Sequence, residues 1–492
     1  MFIFSPQRAT RALALVLALL LPLTVAAQEE RIRLPDLGAS AGNIIPLAVE
    51  KAYARALIQQ MREYGVLLED PQIAGYFSDM GYRLVARSDE PDRDFTFVVI
   101  KDNSINAFAA PGGVVALHTG LIMLAEQESE VAGVLGHEIA HITQQHTARA
   151  IEQAQSMSIP MMLAMLGLIF AGGGSGEAVQ AAVIGTQAAA VQAQINYTRS
   201  NEFEADRIGI RTLAAAGYDP LGMASMFEKM NNASRGLGRM VPEYLRTHPV
   251  TTTRIAEAKN RAALMNETSF RTTADFYVIR ARLRALTEPR PEDAVRYFEH
   301  ALERGLEPYP EALRYGQSVA LLRQRKNDAA LELAEALVAA APRTLAYRIQ
   351  LAEAQLAAGR QDAALAELAR LHYQFPGNVA VTFHYSDALL STGDVGHAAE
   401  AGGLLRQYLV TQGGHSQLYE LYARAANLAG DNVRASEAMA ESFYLRGQLG
   451  DAIYQLEQLA RRDDLDYYQR ARISSRLSQM KVEFAQYLAR HG

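Results

Sequence analysis

Two histidines four residues apart, His137 and His141, with Glu138 directly after the first, are the residues of this chain best suited to chemistry. On an α-helix four residues turn through about 400°, so both imidazoles share one face and can reach a single ion at ~2.0–2.1 Å. Glu138 lies one step round, off the ion but within reach of a water held on it. A zinc ion there would lower the pKa of that water toward ~7, and Glu138 would take its proton and later pass it to a leaving amine. The expected chemistry is hydrolysis of a peptide bond, with Glu138 as catalytic base and one Zn²⁺ per chain.

Zinc needs a third protein ligand. His146 stands nine residues beyond His137, half a turn away on a continuous helical wheel, and is set aside on that ground. A carboxylate is the usual complement, and Ser200-Asn-Glu-Phe-Glu-Ala-Asp206 is the best source of one. Ser200 suits an N-cap, and Glu202 and Asp206 are four apart on one helix face. Glu204 is about 200° from Glu202 and faces elsewhere. Glu202 is therefore predicted to ligate, and Asp206 to hold a ligating histidine by its second ring nitrogen. The bland alternative is an acidic first turn serving only the helix macrodipole.

These side chains need helices to carry them. Val131, Val134, Leu135 and Ile142 form an apolar stripe, and the pattern predicts one long helix from Glu128 to Gln153. Upstream, residues 44 to 89 read as helical and Asp94 to Ile100 as a strand of β-branched and aromatic residues. Asn106 to Gly113 reads as punctuation, Val114 to Leu117 as a second short strand, and the chain turns helical at Thr119. The stretch 157–195 is apolar but broken by Pro160, Gly167 and Gly172 to Gly176. Neither arm is an unbroken span of ~20 apolar residues. A buried helical hairpin and a lid that touches a membrane both fit it, and its four methionines suit an adaptable surface.

A chain of 492 residues holds several domains. The net charge of -6 argues against nucleic acid as a partner, since a phosphate-binding surface needs a concentrated basic stripe. The absence of cysteine removes disulfides, thiolate catalysis and cysteine-based metal sites. Arg8 and Arg11, the apolar run from Ala12 and the small residues Val25-Ala26-Ala27 follow the order of a secretory signal cleaved near Ala27. The expected compartment is the periplasm. From about Asp275 strands vanish. Asp328 to Asp362, Gly359 to Gly393 and Pro342 to Pro376 are each 34 residues apart, the period of tetratricopeptide repeats. A generic helical bundle is the alternative. Such repeats bury their apolar faces against one another and build a concave surface suited to a partner's peptide. The expected organisation is a signal peptide at 1–27, a metallopeptidase domain at 28–270 and a helical repeat domain at 271–492.

His137-Glu138-x-x-His141, followed by Glu202-x-x-x-Asp206, resembles the HtpX-like and CaaX prenyl endopeptidase family of gluzincin metallopeptidases, over roughly residues 45 to 265. The resemblance implies a mainly α protein, a zincin-type α+β domain with a small sheet, here followed by an α-solenoid. Ile105 to Gly113 resembles the segment before the family's active-site edge strand, so that Gly112, Gly113 and Val114 would offer backbone groups to an extended substrate. A routine turn before a strand is the alternative. Thr247-His248-Pro249, with Arg254 after it, resembles a motif beside the family's metal. It implies that His248 is a displaceable fourth ligand or a transition-state donor, unless it merely caps or packs, and that Arg254 supports the site. For an exported chain with repeats the resemblance implies unfolded or misassembled outer-membrane β-barrel proteins as substrates and the barrel-assembly complex as partner. Two other readings stay open: a chaperone or scaffold with a silenced zinc site, and a peripheral membrane protein using 157–195. His118 and the six histidines from His300 onward show no ligand spacing.

Overall fold

The computed structural model describes residues 46–153, 198–236, 242–265, 272–412 and 415–491. The signal at 1–27 and the stretch 157–195 lie outside the described residues. Among the described residues no helix is long and apolar enough to cross a membrane.

The helical reading of 44–89 resolves into α1 (Leu47–Glu63) and α2 (Pro71–Val85). Asp70 separates them: its Oδ1 accepts the Ile73 N–H at 3.0 Å, and Pro71 opens the next helix. Three strands follow, β1 (Thr96–Ile100), β2 (Ala107–Ala110) and β3 (Val114–His118), in the order β1-β3-β2. β3 runs parallel to β1 and antiparallel to β2. Two expectations are corrected here. The punctuated stretch before Gly113 contains a strand, β2. The strand after Gly113 is the centre of the sheet, so Gly112, Gly113 and Val114 present no free edge; β2 does. Both glycines sit at positive φ, 83° and 85°, and a side chain at either would strike backbone, the Glu50 carbonyl or the Asp94 carbonyl. They form the turn that lets β2 double back onto β3.

After α3 (Thr119–Leu124) comes α4 (Glu128–Thr143), the motif helix, buried along nearly its whole length. Glu130 ties down its start, accepting the Glu126 and Gln127 N–H groups and, from α6 (Leu221–Gly236), the Ser225 hydroxyl and the Lys229 ammonium. The single helix expected to Gln153 stops at Thr143. Gln145 takes φ 53°, a left-handed turn that resets the wheel, and helix resumes at 146–153. The carboxylate helix α5 is helical from 198 to 215, so Ser200 lies inside it and not at its cap. It meets α4 backbone to backbone. A side-chain carbon on Gly209 would come within 3.0 Å of the Gly136 carbonyl carbon and the His137 nitrogen. Two facing glycines thus set how near Glu202 stands to the histidines. The domain closes with α7 (Glu243–Thr247) and α8 (Thr252–Ala263).

From α9 (Ala274–Thr287) the chain is a succession of helices. α12 (Asn327–Ala340), α14 (Gln361–Gln374) and α16 (Val395–Thr411) begin 34 residues apart, as do α13 (Leu345–Ala357) and α15 (Val379–Ser391). This is an α-solenoid of tetratricopeptide-like repeats. It folds back onto the first half, and one hydrophobic cluster runs unbroken from Leu68 to Tyr347. Arg282 of α9 is buried where the halves meet. It pairs with Asp70 at 2.9 Å and with Glu353 of α13 at 3.3 Å, and donates to the Tyr315 hydroxyl, which in turn donates to Gln72.

Candidate metal centre

α4 and α5 cross at the glycine contact and put their polar faces together in a buried pocket. His137 Nε2 lies 3.0 Å from His141 Nε2 and 3.5 Å from Glu202 Oε2, and His141 Nε2 lies 3.4 Å from Glu202 Oε1. His248, at the end of α7, brings Nδ1 to 2.9 Å from Glu202 Oε1 and 3.4 Å from His137 Nε2. Donor atoms from these four residues lie within 4.8 Å of one another. Ligands on ~2.0–2.1 Å bonds to a tetrahedral ion stand roughly 3.3 Å apart. The donor set and spacing fit zinc.

The surroundings fit a cation too. Burial alone would lower the His137 pKa, yet the Asp206 and Glu202 carboxylates raise it to about 9. Burial would raise Glu202, but hydrogen bonds from His137, His141 and His248 hold it well below the usual carboxylate range. His141 is lowered to about 3, by burial first and against the pull of Glu202. The two carboxylates thus make the centre of the pocket favourable to positive charge.

The supporting residues come from the same two helices and from α8. Asp206 Oδ1 stands 2.9 Å from His137 Nδ1. Arg254 on α8, 2% exposed, forks onto Asp206 through Nε and Nη2, reaches Glu202 Oε2 through Nη1, each at 2.7 Å, and donates to the Pro249 carbonyl. One guanidinium thus positions both carboxylates and the chain beside His248. Glu138 is fully buried, and neither of its oxygens has a hydrogen-bond partner. His248 Nε2 stands 3.8 Å from Oε1, and a buried carboxylate with no hydrogen bond is costly unless something polar arrives.

A cleft of about 560 Å³ opens onto Glu138, His141 and His248. One wall is β2 with Pro111, through Phe108, Ala109 and Ala110; Glu50, Arg93, His118, Asn106 and Glu243 are also in the lining. Gly112, Gly113 and Val114 are not in that lining.

The sequence reading missed several residues near the site. Tyr244 stacks on His248 with ring centres 4.8 Å apart, and its amide donates to the Ile105 carbonyl beside β2. An aromatic four residues before His248 was visible, but nothing in the spacing of a five-residue helix said where it would point. His118 donates to or accepts from Ser104 Oγ at 2.8 Å and faces the cleft. His146 was placed on the far side of a helix that does not continue; it lies against His141, with Nδ1 atoms 2.8 Å apart.

The profile of peptidase family M48 matches residues 71–262. The chain is 31% identical over 448 residues to the beta-barrel assembly-enhancing protease of Escherichia coli (strain K12), covering 91% of each. It is 32% identical over 448 residues to the protein of that name from Yersinia pestis, with the same coverage. To the mitochondrial metalloendopeptidase OMA1 of Schizosaccharomyces pombe it is 29% identical over 233 residues, 46% of this chain and 66% of the other.

Proposed function

The chain belongs to peptidase family M48 and is a metallopeptidase, and from that premise we propose a periplasmic zinc endopeptidase that cuts unfolded or misassembled outer-membrane β-barrel proteins. His137, His141 and Glu202 hold one zinc ion per chain, and Glu138 is the base. The observation that carries this reading is the convergence of those donor atoms beside a buried, unpartnered Glu138. When bound, zinc polarises the scissile carbonyl and makes water a competent nucleophile near neutral pH. Glu138 takes the proton of the attacking water and delivers it to the departing amine; neither of its oxygens is engaged in a hydrogen bond, and His248 Nε2 stands 3.8 Å from Oε1. Asp206 and Arg254 hold the ligands in register.

The substrate runs extended along the free edge of β2, pairing backbone to backbone. Strands of a barrel protein that has not closed expose such edges. The helical array (residues 271–492) holds the client or the barrel-assembly machinery; the names of the two relatives support a role in that process. The signal at 1–27 supports export. Metal analysis tests the centre. The purified chain should carry one zinc, lose casein cleavage on chelation and regain it with zinc. Glu202→Gln should bind the metal far more weakly, and a variant that kept stoichiometric zinc and full proteolysis would remove Glu202 from the ligand set.

One observation favours a second reading. His248 closes the ring of donors, and a four-ligand shell suits a structural or silenced site, because catalytic zinc keeps an open position. We assign His248 as a displaceable fourth donor. His248→Ala should then keep its zinc on the three remaining ligands and cleave casein faster than the parent. No cleavage by either protein would favour a chaperone that uses the array alone.

A further inference from the structure

Neither His146 nor Glu204 belongs to the ring of four donors. They nevertheless meet. His146, 4% exposed, has Nδ1 2.8 Å from His141 Nδ1 and Nε2 3.1 Å from Glu204 Oε2. Glu204 is held in turn by Arg149 at 2.9 Å. The left-handed turn at Gln145 is what swings His146 back over His141. Glu204 lies on α5 between Glu202 and Asp206, on the opposite side of that helix.

We propose that His146 is a positioning residue for the metal: it fixes the ring of His141 and links it to the Glu204 carboxylate. This rests on the zinc site proposed above. The proton count admits one arrangement. With His141 Nε2 turned to the ion, its Nδ1 carries the hydrogen and donates to His146 Nδ1. His146 then carries its own hydrogen on Nε2 and donates it to Glu204. Every donor has an acceptor. Each ligating imidazole is thereby tied to a carboxylate of the same helix, His137 directly to Asp206 and His141 through His146 to Glu204. The direct form is a general device for orienting metal-bound histidine; here the second tie spans a gap with an extra imidazole.

The test is zinc affinity, measured on metal-free protein by competition with a chromogenic chelator. His146→Ala should raise the zinc Kd by about 10–100-fold, the range for lost outer-shell partners. His146→Asn, whose amide oxygen can sit where Nδ1 accepted, should recover most of that loss. Glu204→Gln should fall between the parent and His146→Ala. A packing role alone would lower the melting temperature of the metal-free protein and leave the Kd in place, and that result overturns the proposal. So does an His146→Asn variant no better than His146→Ala while both remain folded. If the parent chain binds no zinc, the metal site itself fails; if the parent binds and His146→Ala binds as tightly, only this inference fails.

Discussion

Glu138→Gln is expected to bind zinc as the parent chain does and to cleave casein slower by roughly 10²–10⁴-fold, the usual worth of a positioned acid–base group. The glutamine keeps the shape of the side chain in a pocket where it is fully buried. It removes the charge that accepts a proton. The two oxygens of Glu138 lack hydrogen-bond partners, so the substitution breaks no internal hydrogen bond and the fold should be spared. Both readouts are needed. Full activity in Glu138→Gln would end the assignment of the base, and lost zinc would show that Glu138 serves the ligands and not the water.

The second large effect is structural. Arg254→Leu is expected to destabilise the metal-free protein by about 3–5 kcal/mol, because a buried ion pair broken on one side leaves charge without compensation. Two carboxylates would be stranded at once. Asp206 loses its bidentate partner and Glu202 loses one of its hydrogen bonds. In the parent, burial pushes the Asp206 pKa up while Arg254 and His137 bring it down below the ordinary value. Excess zinc should restore part of the lost stability, since a ligand that binds only the native state stabilises it by mass action. Thermal melts with and without zinc measure this. A melting temperature unchanged by Arg254→Leu would show that solvent reaches these groups.

What the sequence disclosed follows from periodicity. Four-residue spacing on a helix fixes a shared face whatever the surroundings, and His137 with His141, and Glu202 with Asp206, do share faces. The 34-residue period survived into the helix starts of the solenoid because repeats contact mainly their neighbours. What stayed hidden depends on breaks and on pairing order. His146 was misplaced because one left-handed residue, Gln145, interrupts the wheel, and glutamine carries no signal for that. β2 was read as a loop because Ala107 to Ala110 is short and nearly all alanine. The free edge was assigned to the wrong strand because sequence order gives no sheet order: β3 inserts between its predecessors. The crossing at Gly136 and Gly209 is set by tertiary approach, and no local pattern announces it.

The buried Arg282 bridge has a mechanical corollary. A polypeptide truncated before Ala274 would leave Asp70 without its guanidinium and strip cover from the apolar side of α2, so the catalytic half is poorly suited to a separate existence. The same bridge couples the solenoid to the scissors. If the array holds a client as proposed above, the bridge would present that chain at a near-constant offset from Glu138, a ruler built into the fold.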